Sequence, residues 1–250
     1  MNRTLFITGG SRGIGAATAR LGAKSGYDVG ITFVSNEKAA QAVVEAVQAM
    51  GRKALAIKCD TAQPDEINRA FNAFDKHFGK LDAFFNNAGI LGTAAKFVDI
   101  PVAQLTSVLA VNTAGAFIAA QAAVRRMSTR LGGQGGAIVN MSSVASKLGG
   151  AFEATDYAFS KGGIDTLTVG LAKELAAEGV RVNAVRPGLI YTDIHESSGI
   201  ANRVEKLKEL VPMKRGGTAE EVAEAVLWLL SDKASYVTGV LVDIAGGRGL

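Results

Sequence analysis

Thr8-Gly9-Gly10-Ser11-Arg12-Gly13-Ile14-Gly15 decides the fold. It follows a short apolar run, Arg3 to Thr8, and opens a helical pattern from Gly13 to Ser25. Glycines at 9, 13 and 15 let the backbone turn sharply and come close to a pyrophosphate. The helix start then offers free N–H groups and a partial positive charge to an anion. An ordinary turn can carry the same glycines. Their position between strand and helix points to a βαβ unit that holds a dinucleotide.

Working outward, short β-branched runs alternate with longer helical patterns almost to the end of the chain. Strands are expected at Arg3 to Thr8, Asp28 to Phe33, Lys53 to Lys58, Ala83 to Asn86, Gly136 to Met141, Arg181 to Arg186 and Leu241 to Ile244. Helices are expected at Gly13 to Ser25, Glu37 to Met50, Pro64 to Phe78, Pro101 to Leu131, Thr155 to Glu178, Asn202 to Leu210 and Ala219 to Leu230. Runs such as Ala137-Ile138-Val139 are apolar on successive positions, as in strands covered on both faces. The expected fold is α/β: one Rossmann-type domain over residues 1–250, with a doubly wound, seven-stranded parallel sheet and helices on both faces. Gly132-Gly133-Gln134-Gly135-Gly136 reads as a turn rather than a linker. The irregular segment from Tyr191 to Met213 is where a substrate lid would fit.

Composition narrows the function classes. The chain has 250 residues, 48% hydrophobic and 20% charged, with a formal net charge of +4. That is globular rather than disordered. No block of Lys and Arg interleaves with aromatics, so a nucleic-acid partner is not expected. Cys59 is the single cysteine, which excludes an internal disulfide; it reads as a small core residue. No secretion signal is visible, and no apolar run reads as long enough to span a bilayer, so a cytoplasmic setting and no membrane partner are expected. No His-Cys or His-Glu cluster has metal-ligand spacing, so no metal is expected. His77 reads as a favourable charge at a helix C-terminus, and His195 as a solvated lid residue.

A second constellation carries chemistry. Tyr157 and Lys161 stand four residues apart, on one face of an expected helix. A nearby cation favours phenolate, so the Tyr157 pKa is expected to fall. Such a tyrosine can give a proton to a carbonyl oxygen or take one from an alcohol. Asn112 falls mid-helix, where asparagine is unfavourable unless something uses it.

The glycine stretch, Asn86-Asn87-Ala88-Gly89, Tyr157-x-x-x-Lys161 and Pro187-Gly188-Leu189-Ile190-Tyr191-Thr192 occur in one order. With them the chain resembles the short-chain dehydrogenase/reductase family over nearly its whole length. The resemblance implies an oxidoreductase acting on a carbonyl/alcohol pair, with Tyr157 as acid/base and Lys161 lowering its pKa and holding the nicotinamide ribose. It implies that Ser143 holds the substrate oxygen. The family's usual gap to the tyrosine is one residue shorter, so Ser142 stays a rival. Asn112 would kink its helix and hold a water linking Lys161 to solvent; a buried amide tying helix to strand is the other reading. Gly9, Ser11, Arg12, Gly13, Ile14 and Gly15 would cradle the phosphates. Asn87, Ala88 and Gly89 would lie along the cofactor, and Asn86 could equally bridge strands. Pro187, Gly188, Ile190 and Thr192 would grip the nicotinamide, with a helix cap as the alternative for Thr192. Asp60 and Thr61 would meet the adenine, with an N-cap as the alternative for Asp60.

Cofactor choice rests on the end of the second strand. An NAD site usually carries an acid there, and this chain has Phe33. Arg12 could pair with a ribose phosphate, with Ser35 or Asn36 adding a hydrogen bond. NADP(H) is therefore expected over NAD(H). Within the family the chain resembles 3-oxoacyl reductases and glucose-type dehydrogenases, commonly tetramers. Trp228, on an apolar C-terminal helix, reads as core or subunit interface. The rivals are a cofactor-binding sensor or scaffold without turnover, and an epimerase or dehydratase on the same fold. Glu153 and Asp156, beside Phe152, could suit a polyol, but acids on a loop are usually solvated.

Overall fold

The computed structural model describes residues 2–194, 199 and 202–250. Seven strands, β1 (Arg3–Ile7), β2 (Tyr27–Phe33), β3 (Ala54–Lys58), β4 (Ala83–Asn86), β5 (Gly136–Met141), β6 (Val180–Pro187) and β7 (Leu241–Ile244), form one parallel sheet in the order β3-β2-β1-β4-β5-β6-β7. The helices are α1 (Gly13–Lys24), α2 (Glu37–Gln48), α3 (Pro64–Phe78), α4 (Val102–Leu109), α5 (Ala116–Met127), α6 (Ala145–Leu148), α7 (Thr155–Leu175), α8 (Arg203–Leu207) and α9 (Ala219–Leu230). The doubly wound sheet expected from the sequence is present; most ends shift by a residue or two, while α5, α7 and α8 stop three or four residues before the expected ends at Leu131, Glu178 and Leu210.

Alternation within the strands explains their unbroken apolar runs. Leu5 and Ile7 face one core with residues of α1, α2 and α9, while Phe6 between them faces the other with residues of α3, α5 and α7. Val139 and Ile138 divide in the same way. Side chains at successive positions point to opposite faces, so a strand covered on both sides must be apolar at every position. Phe6 packs with Phe71 and Phe74 at ring-centroid distances of 4.9 and 4.6 Å. Gly30 makes room for that cluster, since a Cβ there would lie 2.6 Å from the Phe74 ring. Cys59 is buried in the same core, and the protein around it pushes its thiol up to about 11.

Strand order reverses between β1 and β4, so the loops leaving their carboxyl ends diverge and open a crevice. A chain of buried amides and hydroxyls fixes the sheet below it. Asn86 Nδ2 donates to Asn140 Oδ1 at 3.1 Å and to the Ala116 carbonyl at 2.8 Å, and Asn140 Nδ2 donates to Thr168 Oγ1 at 3.0 Å. Asn86 is thus a bridge between strands.

The long helix expected from Pro101 to Leu131 is not uniform. Between α4 and α5 the six residues Ala110–Gly115 form a π-helical turn containing Asn112. The combined stretch Val102–Met127 corrects one reading of the sequence: by length and apolarity, at a mean hydropathy of 1.5, it could cross a bilayer. In this fold it lies against α3, α7 and β4. Its apolarity comes largely from alanines that let α5 approach the sheet, with Ala119, Ala120 and Ala123 fully buried. Trp228 is partly exposed on α9, so it is not a core residue.

Candidate active site

The glycine turn after β1 is held from beneath. Gly9 and Gly13 adopt φ of +64° and +52°, where a side chain would be strained. Gly9 N–H donates to Thr32 Oγ1 at 3.0 Å, and Asn87 Nδ2 donates to the Thr8 and Gly9 carbonyls at 2.8 and 2.9 Å. Thr8 Oγ1 accepts from the Asn87 and Ala88 N–H groups. The loops after β1 and β4 are therefore laced together at the crevice. Thr8 and Thr32 were not singled out from the sequence, since their hydroxyls act on backbone that only the fold brings near. Arg12 is the N-cap of α1 and gives no side-chain cap bond, which leaves the first N–H groups of that helix to a ligand. A Cβ on Gly13 would touch Thr192 at 3.4 Å, so the segment after β6 closes over the turn.

At the far end of the cleft lie Phe33, Val34, Ser35, Asn36, Asp60 and Thr61. Asn36 is committed to α2, its Oδ1 accepting from Ala39 N–H at 2.9 Å. Asp60 Oδ1 accepts from Ala62 N–H at 2.9 Å, an Asx-type turn before α3, whose N-cap is Gln63. Asp60 therefore shapes the turn and borders the cleft at once. Arg12 is exposed on the cleft rim and forms no ion pair among the described residues.

At the other end Tyr157, in the first turn of α7, shares the cleft with Ser143, which follows β5 and whose hydroxyl acts on the phenol. Ser142 faces elsewhere: its buried hydroxyl donates to Asp165 Oδ1 at 2.6 Å, and Arg186 grips that carboxylate at 2.7 Å. The geometry thus favours Ser143 over Ser142 as partner of Tyr157. Lys161 is buried, its Nζ 2.8 Å from the Met141 carbonyl and 5.6 Å from the Tyr157 ring centroid. Asn112 lies behind the cleft. Its Oδ1 accepts from Ile90 N–H at 2.8 Å, and its Nδ2 donates to the Ile90 carbonyl at 2.9 Å and to Ser160 Oγ at 3.1 Å. It ties its helix to the loop after β4 and to α7.

These groups share one cleft of about 900 Å³ that reaches from the glycine turn to Tyr157. Every expected site residue except Asn112 borders it, Pro187, Gly188, Ile190, Gly89 and Ala88 included. A family model described as enoyl-(acyl carrier protein) reductase matches residues 9–248. A protein of Escherichia coli (strain K12) named uncharacterized oxidoreductase YgfF is 51% identical over 97% of this chain and 98% of its own length. The chain is a short-chain dehydrogenase/reductase.

Two further likenesses bear on this short-chain dehydrogenase/reductase. The L-rhamnose 1-dehydrogenase (NAD(P)(+)) of Sphingomonas sp. (strain SKA58) is 35% identical over 98% of this chain and 95% of that one. A solved short-chain dehydrogenase from Burkholderia cenocepacia J2315 in complex with NADP superposes with a TM-score of 0.92 at 33% identity, covering 99% of this chain and 98% of that one. The fold and the oxidoreductase class are those of the family.

Electrostatics correct one expectation. The Tyr157 phenol is pushed above its ordinary value, not below it, because burial among protein groups disfavours phenolate. Ser143 and the positive charge of Arg203 pull the other way without overcoming burial. Lys161 does not supply the expected help: its ammonium is turned to the Met141 carbonyl and stands over the ring. Burial also lowers Lys161 itself to about 8, against a partial opposing pull from Asp165.

That shift makes stability depend on pH. The folded chain releases the Lys161 proton near 8, while the unfolded chain keeps it to its ordinary value of 10.5. Between these values the unfolded state binds more protons, so folding stability gains as pH rises. Below about 8 both states are protonated and the cost of burying the charge is fully felt. Denaturant titrations of wild type and Lys161→Met across this window should show wild type gaining on the variant. A constant difference would place the Lys161 proton in the same state throughout.

Two arginines on the remaining cleft wall, Arg203 and Arg248, were not singled out from the sequence. Arg203 at the start of α8 pairs with Glu153 at 2.6 Å, and Arg248 near the C-terminus joins them at the cleft. Asp156 is taken up locally, accepting from its neighbour Tyr157 N–H at 2.9 Å and from Gln104 Nε2 at 2.9 Å. Of the expected lid, Val204 and Val211 form a small apolar cluster with Leu189, which precedes it. Tyr191 Oη donates to Glu205 Oε1 at 2.6 Å. His195 lies outside the described residues. His77 is in the last turn of α3, edge-on to Phe78.

Proposed function

We propose that the chain is an NADP(H)-dependent oxidoreductase that moves a hydride between nicotinamide and a carbonyl/alcohol substrate, with Tyr157 as general acid/base. The observation that carries this reading is that Tyr157 and Ser143 line one end of a cleft whose other end is a glycine turn on a helix N-terminus. A sensor or scaffold has no need of that pair.

The residues present fit a dinucleotide. A Cβ on Gly9 would lie 3.1 Å from Ala88 Cα, so glycine lets the turn pack against the loop after β4, while Gly9, Ser11, Gly13 and Gly15 all border the cleft where a pyrophosphate would lie. The Burkholderia relative holds NADP. At the end of β2 the cleft presents Phe33, Val34 and Ser35 with no carboxylate, and Arg12 stands free at the rim. This supports a ribose phosphate held by Arg12 and Ser35. Asp60 and Thr61 border the adenine end, while Asn87, Ala88 and Gly89 lie along the ribose. Pro187, Gly188, Ile190 and Thr192 orient the nicotinamide, which, when bound, supplies or accepts the hydride.

The chain's own groups handle the proton. Ser143 Oγ and Tyr157 Oη converge on the substrate oxygen and stabilise charge developing there. Tyr157 gives that oxygen a proton in reduction and takes one in oxidation. Lys161, once a ribose shares its ammonium, favours the phenolate that results. Asn112 holds the Ile90 backbone and α7 in register beside Lys161, where a water path to solvent would return the proton.

We propose one domain for the described chain, in the cytoplasm, with a lid in the segment 191–213, of which 195–198, 200 and 201 lie outside the described residues. The exposed apolar side chains Phe117, Phe159 and Trp228 support a homo-oligomer, by family likeness a tetramer. The test is consumption of NADPH and NADH across aldehydes, ketones, diketones, sugars and 3-oxoacyl thioesters. Turnover with kcat/KM at least about tenfold higher for NADPH is expected, the worth of one good ion pair to the phosphate. Bound cofactor with no net redox change on any substrate would point to an epimerase or dehydratase instead.

A further inference from the structure

Among the described residues the substrate end of the cleft carries two guanidiniums, Arg203 and Arg248, with Glu153, and Asp193 also borders the cleft. Arg203 is largely buried and already paired with Glu153 at 2.6 Å. Arg248 is half-buried, borders the same cleft and forms no ion pair or side-chain hydrogen bond among the described residues. It lies close enough to Arg203 and Glu153 for their charges to act on it. Arg203 in turn acts on Tyr157. The tail that carries Arg248 is fixed on both sides: a Cβ at Gly247 would press on Pro212 at 2.9 Å, and one at Gly249 would sit 3.8 Å from Val144, the residue after Ser143. Among the described residues one guanidinium is thus held on the wall of this cleft with no ion-pair partner.

Such a group is expensive to keep partly buried unless a ligand completes it. Planar guanidinium matches a carboxylate through two parallel hydrogen bonds. The remaining wall is apolar, with Ile90, Val144, Leu148 and Leu210 on the cleft. The acids that a polyol would use are engaged elsewhere, Glu153 with Arg203 and Asp156 with Gln104. Resting on the reductase reading, we propose that the substrate is a small oxo acid or hydroxy acid whose carboxylate is bound by Arg248 beside the Arg203–Glu153 pair. A single unmatched cation suits a monoanion.

Calorimetric titration of the NADP+-saturated protein with pyruvate, acetoacetate and levulinate, each against its methyl ester, tests this directly. At least one acid should bind about tenfold or more tightly than its ester, as a charge-assisted pair predicts. Arg248→Gln should erase that preference, and Arg248→Lys should keep part of it. The proposal is overturned if no acid outbinds its ester, or if the preference survives in Arg248→Gln. Turnover of neutral ketones and aldehydes is read separately. Turnover without an acid preference removes the carboxylate site and leaves the reductase. Acid preference without any turnover removes the reductase and leaves the site.

Discussion

Tyr157→Phe will lower kcat/KM by roughly three orders of magnitude or more, within the range of a lost general acid/base plus a lost hydrogen bond to the reacting oxygen. The substitution removes one oxygen and keeps the ring, so the packing under Lys161 survives. The backbone stays anchored too, because the bond that holds Tyr157 N–H to Asp156 Oδ1 does not involve the phenol. NADPH affinity should therefore change by no more than about threefold, since the glycine turn and α1 are untouched. Steady-state kinetics paired with NADPH fluorescence titration separates the two quantities. Turnover retained within about tenfold would assign the proton to another group and end the mechanism proposed above.

Gly15→Ala is expected to damage cofactor binding by a different route. Gly15 is helical, so its conformation would tolerate alanine. The obstacle is space: a Cβ would lie 2.4 Å from the Gly9 carbonyl oxygen, 2.8 Å from Asn87 Nδ2 and 3.0 Å from Gly10 Cα. None of the backbone atoms can yield without moving the turn, and Asn87 cannot yield without releasing Thr8 and Gly9. Overpacking of this kind typically costs about 1–3 kcal/mol. The NADPH Kd should rise by roughly 100-fold, because the displaced backbone is the phosphate cradle. Gly170→Ala is the matched control. Gly170 is exposed in α7 with nothing within 4 Å of its added Cβ, so the change should stabilise by about 0.5–1 kcal/mol and leave Kd alone. Equal Kd in Gly15→Ala and wild type would mean that the turn is not where the phosphates lie.

The seven strands and the doubly wound sheet were legible because each strand declares itself locally. Leu5, Phe6 and Ile7 are apolar on both faces, and the glycine turn that follows can only lead from strand to helix. Tyr157, Lys161 and the Thr8–Gly15 turn stood out as candidates for the same reason, being short stretches with telling spacing, and the fold brings them to one cleft. What the sequence hid depends on distance through space. The sign of the Tyr157 shift depends on how densely the fold surrounds the phenol and on where the Lys161 ammonium turns. Arg203, Glu153 and Arg248 come from three separate parts of the chain and meet only because α8 and the C-terminal tail both fold over the loop before α7. The length and apolarity of Val102–Met127 were underread in the sequence. The same alanines would suit a bilayer or a close-packed helix, and only the neighbouring α3 and β4 decide which.

The π-helical turn at Ala110–Gly115 has a geometric consequence for the whole layer. One residue beyond the normal pitch advances every later side chain by about 100° around the axis. The two halves of this rod are thereby out of phase. The first half meets α7, which carries Tyr157 and Lys161, and the second half turns its alanines to α3 and β4. A straight α-helix of the same sequence could aim one of these faces correctly, but not both. The slip in winding is what allows a single rod to serve as wall for the reacting groups at one end and as packing for the sheet at the other.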